Sequence, residues 1–194
     1  MAAVALSRPL ISLTLPQQRS NRLVVQAFAA IIGSMLLAVA AKVSVPFWPV
    51  PMTLQVLAVF LIGATYGRNL AFATVMLYLA EGAAGLPVFT TGAGLAYMAG
   101  PTGGYLVGFT LAAAIAGWAA DQGYDRSPLK LFAALLVGEA VILGLGAAWL
   151  AVLFGFEKAI TFGVGPFIVT DLVKAALAAA IVPAAWGIVE RFRN

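Results

Sequence analysis

The sequence predicts an all-α, polytopic membrane protein: six transmembrane helices joined by re-entrant loops on the external side. Three observations carry this. The chain is 63% hydrophobic and 9% charged, with a mean hydropathy of +1.03, whereas a soluble domain carries about 25% charged residues. Apolar runs near the ~20 residues that a bilayer requires recur along it. The basic residues between these runs fall mostly on one side of the membrane. At 194 residues, one compact membrane domain over 23–194 follows. Residues 1–22, with Pro9, Pro16 and three arginines, lack the unbroken apolar stretch of a secretory signal and read as a flexible cytoplasmic tail.

The spans follow in order. Leu23–Val43 is the first. It carries Ala30, Ser34 and Ala38 at a spacing of four, with Ala29 and Gly33 in a parallel row. Small residues at that spacing admit another helix closely, either within the bundle or from a partner. Val45–Pro51 holds three prolines and cannot be helical; with Phe47 and Trp48 it is a candidate lid. Met52–Tyr66 and Asn69–Ala83 are short for full spans, so their flanking loops are expected to dip into the membrane, against protein or a cavity. Gly85–Gly104 has six glycines, two prolines and no charge. It is too glycine-rich for a stable helix and too apolar for a solvent loop, which leaves a tight re-entrant connection or a ligand-binding loop. Tyr105–Ala120 is the fourth span. Asp121–Ser127 is a polar loop, and Pro128 suits the first turn of the fifth span, Leu129–Phe154. Gly155–Gly165 reads as a turn, and Pro166–Val189 is the sixth span, with a kink expected at Pro183.

Composition excludes whole classes of chemistry. Cysteine and histidine are absent. That removes the usual zinc sites, cysteine nucleophiles and Ser-His-Asp triads, so no metal, no cofactor and no enzymatic activity are expected. An enzyme built on Glu139, Asp171 and Lys174 would lack an activated nucleophile. No G-x-x-x-x-G-K-[ST] loop occurs, so the chain has no nucleotide motif of its own. The net charge of +4 reads as a topology signal and not as nucleic-acid affinity.

Asp171 and Lys174 are the only charges between Lys158 and Glu190. A charge in hydrocarbon costs about 2.5–3.5 kcal/mol on insertion scales. Placed at i and i+3, the two share one helix face and can pair, or hold a polar ligand. With the N-terminus in the cytoplasm, Arg8, Arg19, Arg22, Arg68, Arg126, Lys130, Arg191 and Arg193 lie inside, and only Lys42 and Lys158 lie outside. Both unusual loops, 44–51 and 84–103, then share the external side with the start of the sixth span. Polarity confined to one side argues for a closed pocket over a channel.

The blocks P-V-P-M-T-L-Q (49–55), G-L-P-V-F (85–89), G-P-T-G-G-Y-L-V-G-F (100–109) and D-L-V-K (171–174) resemble the BioY family, the biotin-specific S components of energy-coupling-factor (ECF) vitamin transporters. The resemblance runs from about residue 25 to 190. It implies an S-component-like bundle that binds biotin without a cofactor. Its partners would be a transmembrane coupling subunit and ATPase subunits, in the cell's inner membrane, with both termini cytoplasmic; a homo-oligomer stays open. Phe89, Thr90, Thr91, Gly92, Tyr97, Tyr105, Asp171, Lys174 and Gln55 are the ligand-binding residues so implied, with Trp48 a further candidate wall. The Ala30, Ser34 and Ala38 row would dock the coupling subunit. A carrier for another vitamin, or a non-transporting structural membrane protein, is the alternative.

Overall fold

Long apolar stretches in a bilayer have no water to bond with, so their backbones close their hydrogen bonds within helices. The computed structural model describes residues 9–16 and 18–193 and contains eight α-helices among them. These are α1 (Arg19–Lys42), α2 (Gln55–Tyr66), α3 (Arg68–Ala83), α4 (Gly94–Met98), α5 (Gly103–Asp121), α6 (Pro128–Phe154), α7 (Phe156–Gly163) and α8 (Gly165–Arg193). The six expected spans correspond to α1, α2, α3, α5, α6 and α8. Four runs are long and apolar enough to cross a membrane: α1, α5, α6 and the combined α7–α8 stretch. With 12 and 16 residues, α2 and α3 are shorter, as the sequence predicts.

The bundle closes around α5, whose most extensive partner is α6. Glycine makes that approach possible. A Cβ on Gly108 would stand 2.8 Å from the Ile142 backbone, and one on Gly104 would strike Leu145 and Trp149. Dispersion grows as the two backbones close, and small residues substitute for the hydrophobic drive that lipid cannot supply.

Three boundaries and the facing of one side chain differ from the sequence reading. The first helix begins at Arg19, inside the segment expected as a tail. Leu10–Leu13 form a 3-10 turn, while residues 1–8 and 17 of that segment lie outside the described residues. α2 begins at Gln55 because Met52–Thr53 (β2) pairs antiparallel with Ser44–Val45 (β1); the Thr53 hydroxyl then accepts the Gln55 N–H at 3.1 Å. The expected 155–165 turn holds a helix, α7. Gly155, at φ +90°, breaks the chain away from α6, and Ala159 and Gly163, four apart, give the new helix a small buried face. The last difference concerns α1. Ser34 is fully buried and donates to Glu81 Oε1 on α3 at 3.1 Å. It therefore faces its own bundle, which corrects its expected place on an outward docking row; Ala30 and Ala38 flank it half-buried.

At the far end from the glycine-rich loop, the α5–α6 connection is latched to α8. Trp186 donates through Nε1 to Asp125 Oδ2 at 2.6 Å, and the Arg126 guanidinium lies 4.2 Å over the Trp186 ring. Burial pushes the Asp125 carboxyl up to about 6, although the Trp186 N–H and Arg126 favour its ionised form. The unfolded chain releases this proton near pH 3.8, so the folded state holds it over a window in which the unfolded state does not. Stability from this group therefore falls as pH rises from about 4 to 6. Asp125→Asn keeps an acceptor for Trp186. It is expected to abolish that decline and to melt higher than the parent at pH 7, measured by thermal unfolding in detergent across this pH range.

Candidate functional site

The α8 side chains that turn inward repeat every three or four residues: Phe167, Asp171, Lys174, Ala178, Val182 and Trp186, all buried. That 3.6-residue stripe faces α2 and α6 and carries both charges into the bundle. Lys174 Nζ donates to Asp171 Oδ1 at 2.6 Å, with the side chains 11% and 1% exposed. A pair this deep persists only with close geometry, because desolvating each ion costs several kcal/mol.

Beside this pair lies a narrow, partly open cavity, which both residues help to line. The β1–β2 hairpin contributes Val50, Pro51 and Thr53 to its wall. Trp48 at the hairpin tip packs elsewhere, with ring centroids 5.7 Å from Phe154 and 5.9 Å from Phe162. It fastens the hairpin to α6 and α7 and is not a wall, which corrects the sequence expectation.

The 84–102 loop supplies the opposite wall. Phe89 is 1% exposed and stacks on Tyr97, with centroids 4.9 Å apart and planes at 16°. Tyr78 of α3 meets it edge-on at 5.5 Å. The Phe89 ring occupies the space that a Cβ on Gly82 would fill, so the absence of a side chain there admits the ring. Lys42, at the end of α1, donates to the backbone carbonyls of Phe89 and Thr90. Trp149 Nε1 donates to Gly100 O at 2.8 Å. The loop is thus tied at both ends to helices.

Of the nine residues expected to bind ligand, seven line the cavity: Gln55, Phe89, Thr90, Tyr97, Tyr105, Asp171 and Lys174. Two do not. The turn that aims Thr90 inward leaves Thr91 exposed. Gly92 lies behind the Tyr97 ring, where a Cβ would meet Cδ2 at 3.3 Å. Tyr105 gives its hydroxyl to Gly163 O at 2.6 Å, so its ring and not its hydroxyl serves the cavity. Gln55 is similarly engaged: it donates to the Tyr78 hydroxyl at 2.9 Å and accepts from Thr53 at 3.2 Å. The Tyr78 hydroxyl in turn donates to Val88 O at 3.1 Å.

Sequence reasoning missed Tyr78, Phe109 and Phe167, all on the cavity wall. Phe167 was findable, because it stands one turn before Asp171 on the same stripe. Tyr78 lies inside a short helix and not at its rim, a position at odds with an interface anchor. Glu139 of α6 stands next to Asp171 and Lys174 and is 5% exposed. The whole is an apolar, aromatic slot with a few fixed polar groups at its base, the form of a small-molecule site.

Residues 14–191 match the profile of the BioY family. The chain is 44% identical over 147 residues to a probable biotin transporter of Pyrococcus horikoshii, covering 75% of this chain and 86% of that one. It is 39% identical over 158 residues to a biotin transporter of Thermotoga maritima, covering 80% and 92%. The crystal structure of the S-component for biotin from an ECF-type ABC transporter superposes with a TM-score of 0.73 at 22% identity, over 88% of this chain and 95% of that one. That likeness establishes the fold as an all-α membrane bundle of this kind.

Lys42→Met removes the donor that holds the Phe89 and Thr90 carbonyls. A charge-assisted hydrogen bond contributes about 1.5–3 kcal/mol. Amide hydrogen exchange over residues 86–97 is therefore expected to accelerate roughly tenfold or more, with exchange elsewhere in α5 and α6 unchanged.

Proposed function

The chain belongs to the BioY family, and from that premise we propose that it is the biotin-capturing membrane subunit of an energy-coupling-factor transporter. The observation that carries this reading is the buried Asp171–Lys174 pair at the base of an aromatic-walled cavity. Biotin has an apolar thiophane ring and aliphatic tail, a cyclic urea and a carboxylate. The Asp171 carboxylate accepts the urea N–H groups. The Lys174 ammonium answers either the urea oxygen or the ligand carboxylate. Phe89, Tyr97, Tyr105 and Phe167 cover the apolar ring and tail.

The chain captures and does not drive. Without a nucleotide motif in its sequence, uphill movement falls to a transmembrane coupling subunit and cytoplasmic ATPases. In this reading the site opens outward from a cytoplasmic membrane, with both termini inside, an orientation supported by the eight-to-two division of basic residues. Loops 44–51 and 84–103 close over the cargo, and the bundle reorients as the partner turns over. Closure excludes water and strengthens each polar contact inside.

Purified protein in detergent is expected to bind biotin at one site by calorimetry, without ATP or any partner, and to discriminate against an unrelated vitamin; dethiobiotin serves as the close analogue. Asp171→Asn is expected to weaken binding at least tenfold, the scale of one charge-assisted hydrogen bond, while the protein elutes as the parent does. A parent protein that ignores biotin, or an unchanged affinity in the variant, defeats the reading.

A further inference from the structure

Glu139 is a buried ionisable group for which transport as described has no use. It lies on α6, three residues before Ile142, which lines the cavity. The residue is 5% exposed, and neither carboxyl oxygen makes a hydrogen bond of good geometry among the described residues, although the Asp171 carboxyl stands beside it. Two charged groups face it from α8, Asp171 and Lys174, and Tyr105 faces it from α5. The Tyr105 hydroxyl is already given to Gly163 O. The only cation within the cluster is Lys174, which is bound to Asp171. A buried polar group without a partner is costly and calls for a reason; the other such atoms among the described residues belong to Asp125 and Arg126 at the far latch.

We propose that Glu139 is the alternate acceptor for the Lys174 ammonium, taken up when a cargo N–H donor occupies Asp171. One ammonium faces two carboxyl groups on adjacent helices. In the structure it sits on Asp171, its neighbour on the same helix. A cargo that presents N–H donors to Asp171 competes for those oxygens. A lysine that left Asp171 with nowhere to go would be an unpaired buried charge, the costliest state available. Glu139 removes that obstacle. It lets Asp171 exchange a lysine for a ligand while the ammonium itself keeps an acidic partner. The ammonium, on a flexible four-carbon stem, is suited to such a switch in a way that a rigid guanidinium is not. Glu139 is thus a positioning residue: it acts through Lys174 and does not itself touch the cargo.

This inference deepens the biotin-binding reading, yet its decisive test needs no ligand. Thermal unfolding of the full chain in detergent is measured for Asp171→Asn, Glu139→Gln, the double variant, and the double variant with Lys174→Met added. In Asp171→Asn the ammonium turns to Glu139, so the loss is small; in Glu139→Gln it stays on Asp171, and the loss is again small. In the double variant no carboxylate is left, and the melting temperature is expected to fall by several degrees more than the two single losses together. Adding Lys174→Met removes the stranded charge and should recover most of that deficit, which separates a missing counter-ion from general disruption. Additive single losses, or no recovery on removing the lysine, overturn the proposal. Biotin titration of Glu139→Gln is the second arm, with affinity expected to drop about tenfold. A parent protein that fails to bind biotin would defeat the cargo assignment alone, since the ligand-free cycle would still decide the role of Glu139.

Discussion

An ion pair 2.6 Å long, enclosed in an apolar bundle, sets the terms for the rest of this molecule. Asp171 and Lys174 are each costly there alone, because a buried charge stripped of its partner costs about 3–5 kcal/mol, a large share of a total stability of about 5–15 kcal/mol. Both must leave lipid together, on one face of one helix, and that face must be covered. The inward stripe from Phe167 to Trp186 does the first. α2 and α6, held against α5 by glycine-mediated contact, do the second.

The cavity beside the pair is shaped by groups that bind nothing themselves. Lys42 holds two loop carbonyls, Trp149 holds a third, and Gly82 vacates the volume that the Phe89 ring fills. The Trp48 clasp onto Phe154 and Phe162 anchors the hairpin opposite. Because these ties are backbone-directed or aromatic, they fix the walls without adding charge to the pocket, and the few polar groups at its base keep their full strength in a low-dielectric space.

α8 also connects the two ends of the bundle. Asp171 and Lys174 lie in its first half, and Trp186, bonded to Asp125 and covered by Arg126, lies in its second. The helix that forms the base of the site is thus fastened independently at its far end.

The sequence alone determined the number and order of long helices, because apolar length and helical period are local properties that hydrocarbon enforces. It also determined that Asp171 and Lys174 share a face, since i and i+3 can do little else on a helix, and the G-P-T-G-G-Y block carried the family. It did not determine where those faces point. Ser34, in a row that reads equally well as an outward surface, turns inward to Glu81; Trp48 leaves the cavity for two phenylalanines that follow it by more than a hundred residues; Thr91 is exposed where Thr90 is not. Tyr78 carries no sequence motif, Phe109 merely closes the 100–109 block, and both reach the cavity wall, with Glu139 beside it, only when α3, α5 and α6 converge on α8. Those assignments rest on contacts between distant segments, and only the packed bundle fixes which side chain fills which space.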